Sequence, residues 1–215
     1  MSREQIVKSL IDAGAVAIIR LPDPRKIIKV AEAIYKGGVS GIEITMTVPN
    51  AISVIHNASK EIGGYMNVGI GTVLDSETAQ KAIDAGAKYV VSPVFKKEIM
   101  EVAHNNGIPA IPGAFTPTEI QAAYEFGADI VKVFPADVVG MAFFKAVLAP
   151  LPHLKLMPTG GVTLANAGDW LKAGACAVGI GTALLDKNAI TSENYQVLTN
   201  NAKILMESIS RARGK

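Results

Sequence analysis

Eight short apolar runs recur about every 20–27 residues, and each is followed by a stretch with helical periodicity. The runs are AVAIIR (15–20), GIEITMT (41–47), NVGIGTV (67–73), YVVSPV (89–94), PAIPGA (109–114), DIVKVFP (129–135), KLMPTGG (155–161) and AVGIGTAL (177–184). Between them lie segments such as KIIKVAEAIYKGG and ETAQKAIDAGAKY, whose apolar residues return at helical spacing. Repeated strand–helix units of this length dictate a parallel sheet with helices outside it. Eight of them, preceded by the amphipathic stretch MSREQIVKSLIDAG, predict a closed (β/α)₈ barrel with an additional N-terminal helix. An open doubly wound sheet is the competing arrangement and normally has fewer strands. The weakest strand signals are the glycine- and proline-rich runs 67–73 and 109–114.

Punctuation agrees with this rhythm. Gly14, Gly38, Gly86, Gly107, Gly127 and Gly174 each fall where a helix should end before the next strand. Asp75-Ser76-Glu77 and Thr116-Pro117 read as helix starts. No linker or low-complexity segment interrupts residues 1–215, which are expected to form a single domain.

Composition narrows the function. With 215 residues, 49% of them hydrophobic, the chain can bury a large core. A formal charge of +2, without basic runs interleaved with aromatics, argues against nucleic acid as a partner. No apolar run approaches the ~20 residues of a membrane span, and the N-terminus lacks the apolar block of a signal peptide. Cys176 is the single cysteine, which fits a reducing cytoplasm. His56, His104 and His153 are far apart and read as surface residues, so no metal site is expected.

Charge in the strands is the informative exception. Strand residues alternate between the barrel interior and the helices. In GIEITMT, Ile42, Ile44 and Met46 suit the helices, which turns Glu43, Thr45 and Thr47 inward. In DIVKVFP, Val131 and Val133 point outward, and Lys132 and Phe134 inward. Arg20 closes the first strand. Lys88 and Lys155 begin strands and read as solvated. Lysine is rarely buried without a purpose. Glu43 and Lys132 can meet across the barrel either as a structural ion pair or as a covalent amine catalyst with a proton carrier. A neutral amine adds to a ketone, a carboxylate shuttles the protons, and the resulting iminium accepts the electrons of a breaking C–C bond. No metal or other cofactor is required for that chemistry.

The runs PTGGV and GIGTAL end strands seven and eight, the usual place for phosphate in such barrels. Glycines there let backbone N–H groups approach an anion. They also suit a tight turn with no ligand.

Six motifs in order, EITMTVPNA, GIGTV, VSPVF, IPGAFTPTE, VKVFPA and MPTGGV, resemble the 2-keto-3-deoxy-6-phosphogluconate/4-hydroxy-2-oxoglutarate aldolases over about residues 10–185. The resemblance implies a class I (Schiff-base) aldolase, a lyase of carbohydrate metabolism in the Entner–Doudoroff pathway, acting on a keto-deoxy sugar acid phosphate to release pyruvate. It implies a homotrimer without cofactors. It assigns the Schiff base to Lys132 and acid–base work to Glu43. Arg20 matches a substrate-binding arginine, and Thr72, Pro93, Phe134 and Thr159 match the lining of the pyruvate pocket. Gly160, Gly161, Gly181 and Thr182 match phosphate-binding positions. Some members carry an arginine where Thr47 stands here, which leaves the substrate open. The candidates are 2-keto-3-deoxy-6-phosphogluconate, its galactonate isomer and 4-hydroxy-2-oxoglutarate. A sugar-phosphate-binding barrel without turnover is the remaining alternative.

Overall fold

The structure is a computed structural model that describes residues 1–214. A leading helix, α1 (Arg3–Ala13), starts with a capping box between Ser2 and Gln5 and ends at Gly14 in the left-handed region. Strands and helices then alternate: β1 (Ala15–Ile19), α2 (Ile27–Lys36), β2 (Gly41–Thr45), α3 (Ala51–Glu61), β3 (Asn67–Gly71), α4 (Ser76–Asp84), β4 (Val90–Val91) and α5 (Lys97–Asn105). They continue with β5 (Ala110–Ile111), β6 (Gly113–Ala114), α6 (Pro117–Glu125), β7 (Val131–Val133), α7 (Ala136–Leu148), β8 (Leu156–Pro158), α8 (Ala167–Lys172), β9 (Val178–Ile180), α9 (Lys187–Thr191) and α10 (Tyr195–Ala212).

All strand pairs are parallel. One sheet has six strands in the order β5-β4-β3-β2-β1-β9, and a second has three in the order β6-β7-β8. The eight expected runs thus yield nine strands, because 109–114 divides at Pro112. Proline has no N–H to give a ladder, although its carbonyl still accepts from the Lys132 N–H at 2.9 Å. A parallel bridge, Thr159 to Gly179, adjoins the ends of β8 and β9. In place of one closed eight-stranded barrel, the structure shows an α/β fold in which a six-stranded parallel sheet curls as a half-barrel beside a separate three-stranded parallel sheet. The glycine-rich run 67–73, in contrast, carries a full five-residue strand.

Alternation sorts the side chains as expected. Ile42, Ile44, Val131 and Val133 belong to the large core between strands and helices. A second cluster on the opposite strand faces joins Val16, Tyr89, Val91, Ile111, Ile130 and Met157 to Ile6, Val7 and Leu10 of α1. The leading helix thereby plugs the N-terminal end of the interior. All six glycines expected at helix ends have positive φ. Asp75 accepts from the Thr78 N–H, and Thr116 and Glu119 form a capping box. Phe144 is buried core, edge-on to Trp170 at 5.2 Å. The final helix α10 packs on α2 and α8.

Two charged residues differ from the sequence reading. Lys88 is half-buried, and its ammonium donates to the carbonyls of Gly63 and Met66; burial lowers its pKa. His104 is half-buried as well, with Nε2 3.4 Å from Asp129, a carboxylate that also takes Arg3 Nε at 2.8 Å and the Ala110 N–H at 3.0 Å. Burial and the Arg3 charge push the imidazole pKa down against the opposing pull of Asp129. The folded protein thus binds this proton less readily than the unfolded chain does, so stability should decline as pH falls below about 6.5. Thermal melts between pH 7.5 and 5.5 should show this decline flattened in His104→Asn; an equal slope in both proteins would remove His104 as its source.

Candidate active site

Glu43 sits in the middle of β2 and Lys132 in the middle of β7, with 0% and 2% of their surfaces exposed. Lys132 Nζ lies 3.7 Å from Glu43 Oε1, within ion-pair reach but beyond hydrogen-bond length. Neither carboxylate oxygen accepts a hydrogen bond from the protein. The lysine nitrogen also stands 5.4 Å from the centre of the Phe134 ring, which lies two residues on along the same strand face. The expected inward pair is therefore present, and both side chains are buried.

The surroundings explain how these two groups fit. On β3, a Cβ at Gly71 would fall 1.9 Å from Glu43 Oε1, and one at Gly69 would fall 2.3 Å from the Tyr89 ring. The missing side chains leave space for the carboxylate and, one layer deeper, for the phenol. Tyr89 is fully buried, and its hydroxyl donates to the Ile42 carbonyl at 2.5 Å. Burial, with the Glu43 charge adding to it, drives that phenol's pKa well up and keeps the hydroxyl a donor. Tyr89 was missed in the sequence because an aromatic residue at a strand start reads as ordinary core.

Every other expected site residue follows the C-terminal end of a strand. A cleft of about 470 Å³ gathers Arg20, Phe134, Thr159, Gly160, Gly161, Gly181 and Thr182. Ile18, which also lines it, is the register partner of Glu43, so the carboxylate lies at the depth of the cleft's inner end. Lys132 and Glu43 are not among its lining residues, whereas Phe134, two residues after Lys132, and Thr159 are. Thr72 and Pro93 lie outside this cleft. Thr72 takes a left-handed turn (φ 61°) directly after Gly71, and the Pro93 carbonyl presses against Gly113, where a Cβ would sit 2.1 Å away. Thr159 Oγ1 is buried without a protein hydrogen-bond partner.

The glycine ends have the geometry of an anion cradle. Gly160 and Gly161 have φ of 98° and 70°, and their N–H groups, like that of Thr182, donate to no acceptor among the described residues. Asn166 pins this loop: its Nδ2 donates to the Gly161 carbonyl at 3.0 Å, and its Oδ1 accepts from the Thr163 N–H at 2.7 Å. Arg20 brings a guanidinium that makes no ion pair or hydrogen bond within the described chain. Lys187, at the start of α9, also lines the cleft and was not singled out in the sequence. Its signal was faint, a lysine six residues beyond Gly181 in a polar turn. Among the described residues no three His, Cys, Asp or Glu side chains converge as a metal site. No helix among the described residues is long and apolar enough to cross a membrane. Thr47 is exposed, and its hydroxyl lies 2.6 Å from that of Thr45, which donates to the Ile19 carbonyl.

A buried amine beside an unpartnered carboxylate, next to a cleft with free N–H groups and cations, suits carbonyl chemistry on an anionic substrate. Comparison with known proteins agrees. The sequence model of the family described as KDPG and KHG aldolase matches residues 6–201. The chain is 31% identical over 203 residues to the 2-dehydro-3-deoxy-phosphogluconate aldolase of Pseudomonas aeruginosa, a match spanning 94% of this chain and 92% of that protein. It is 34% identical over 170 residues to a Rhizobium meliloti protein named a probable 2-dehydro-3-deoxy-6-phosphogalactonate aldolase, spanning 79% and 80%. Among solved structures, KDPG aldolase from Legionella pneumophila, with pyruvate captured at low pH as a covalent carbinolamine intermediate, superposes with a TM-score of 0.86 at 25% identity, covering 93% of this chain and 97% of that one. This chain belongs to the KDPG and KHG aldolase family.

Proposed function

We propose that the chain is a class I aldolase that cleaves 2-keto-3-deoxy-6-phosphogluconate to pyruvate and glyceraldehyde 3-phosphate. The observation that carries this reading is the buried Lys132 amine 3.7 Å from a carboxylate that no protein group satisfies. A buried ion without hydrogen bonds is costly, and its retention calls for a use.

Lys132 adds to the C2 carbonyl and forms a carbinolamine. Glu43 takes the proton that the Lys132 ammonium gives up and returns it to the carbinolamine hydroxyl, which leaves as water to give the iminium. The carboxylate then takes the C4 hydroxyl proton. The C3–C4 pair flows into the iminium, glyceraldehyde 3-phosphate departs, and the enamine remains. Protonation at C3 and hydrolysis release pyruvate and restore the amine. Arg20 and Thr72 hold the substrate's anionic or polar groups, Pro93, Phe134 and Thr159 shape the pyruvate pocket, and Gly160, Gly161, Gly181 and Thr182 receive the phosphate.

The galactonate isomer is the second reading, favoured by the similarity to the Rhizobium meliloti protein. A coupled assay of pyruvate release over the gluconate isomer, the galactonate isomer and 4-hydroxy-2-oxoglutarate decides between them by kcat/KM. Release from none of the three would overturn the aldolase reading.

The architectural proposal is one domain, a single closed (β/α)₈ barrel. Its supports are the adjacency of β5 and β6 across Pro112, the Thr159–Gly179 bridge, and the pairing of Lys132 on one sheet with Glu43 on the other. A cytoplasmic homotrimer completes the reading by family resemblance; sedimentation as a monomer would remove the trimer.

A further inference from the structure

The cleft holds two cations and no carboxylate. Arg20 and Lys187 both line it, and neither pairs with any acid of the described chain. The carboxylate nearest to Lys187 in sequence, Asp186, is occupied as the cap of α9, accepting from the Ala189 N–H at 2.7 Å. On the glycine side, Asp137 stands beside Gly160 and Gly161, with Oδ1 2.9 Å from where a Gly160 Cβ would lie. An anion received by those N–H groups therefore has the like charge of Asp137 beside it, which a cation lining the cleft offsets.

The positions of the two cations separate their tasks. Arg20 follows β1 two residues after Ile18, whose register partner is Glu43. Its strand therefore lies next to the one that carries Glu43. Lys187 follows the Gly181–Thr182 turn at the end of β9, on the wall that carries the free N–H groups. We propose that Lys187 is the ammonium that pairs with the terminal phosphate of the substrate and sets the preference for phosphorylated over unphosphorylated 2-keto-3-deoxy acids. The inference rests on the aldolase reading above and adds to it the group that reads the phosphate. An ammonium is a compact charge with three rotatable donors and imposes little angular selection. Lys187 therefore senses the presence of phosphate and not the configuration at C4, so both phosphorylated isomers depend on it alike.

The test compares wild type, Lys187→Met and Lys187→Arg on three substrates: the two isomeric 6-phosphates and 2-keto-3-deoxygluconate, which lacks the phosphate. In Lys187→Met, the ratio of kcat/KM for phosphorylated over unphosphorylated acid should fall about tenfold, through KM and equally for both isomers. Lys187→Arg should recover most of it. An unchanged ratio, or an equal loss on 2-keto-3-deoxygluconate, overturns the proposal. A second measurement is independent of turnover: inorganic phosphate should raise the Tm of wild type and raise it much less in Lys187→Met. If wild type cleaves none of the acids, the aldolase reading fails, and this melt still decides the site. Equal shifts in the two proteins, or none in wild type, reject Lys187 as the phosphate partner.

Discussion

Lys132→Met should lose at least about 10⁴-fold in kcat, because the substitution removes the buried amine, paired with Glu43, that forms the iminium. Borohydride added with pyruvate should leave a covalent adduct on the Lys132 peptide of wild type and none on the variant. The same change should also disturb the fold. It leaves Glu43 buried without the ammonium 3.7 Å away, and breaking a buried pair costs about 3–5 kcal/mol. The double variant Lys132→Met/Glu43→Gln should regain much of that stability and none of the activity. Denaturant melts and single-turnover assays on the three proteins separate the two effects. Trapping on another lysine, or a Lys132→Met protein that still releases pyruvate, would end the Schiff-base account.

The order of elements was readable because helix ends and strand faces are local properties. Each cap glycine answers a backbone demand at its own position, and Val131 and Val133 flank Lys132 with the period of two that a strand imposes. Pro112 was visible as a weak point, but its consequence was not. Whether a proline kinks a strand or divides a ladder depends on what lies beside it, and here Gly113 is pressed against the carbonyl of Pro93, twenty positions earlier in the chain.

The site shows the same division. Glu43 and Lys132 stood out because charge among strand apolars is rare, and their faces followed from alternation. Tyr89, Lys187, Lys88 and His104 were obscure for one shared reason: each takes its meaning from a neighbour distant in sequence. Tyr89 reaches the Ile42 carbonyl, Lys88 caps carbonyls of the turn after α3, and His104 meets Asp129, which precedes β7 two strand–helix units on. Lys187 has meaning only once the cleft exists. Tertiary proximity carries no periodicity, so a single sequence holds little trace of it.

Gly71→Ala should then be nearly as damaging as altering a reacting group, although it adds one methyl to a strand. The new Cβ would stand 1.9 Å from Glu43 Oε1 and 2.4 Å from its carboxyl carbon. Backbone and carboxylate cannot both remain, and the carboxylate, fixed only by its own side chain, is the part that moves. A displacement of about 1 Å costs on the order of 10²-fold in rate, and overpacking costs about 1–3 kcal/mol in stability. Glu43→Gln keeps the shape and removes the proton carrier, for an expected loss of about 10²–10⁴-fold. Because the glycine acts through the carboxylate, the two losses should not add: Gly71→Ala/Glu43→Gln should be close to Glu43→Gln alone. Borohydride trapping should persist in Gly71→Ala at a reduced rate, since the amine remains. Multiplying losses in the double variant, or full activity in Gly71→Ala, would mean that this glycine serves only the strand. The glycine-rich run that made β3 look doubtful would then owe nothing to the carboxylate beside it.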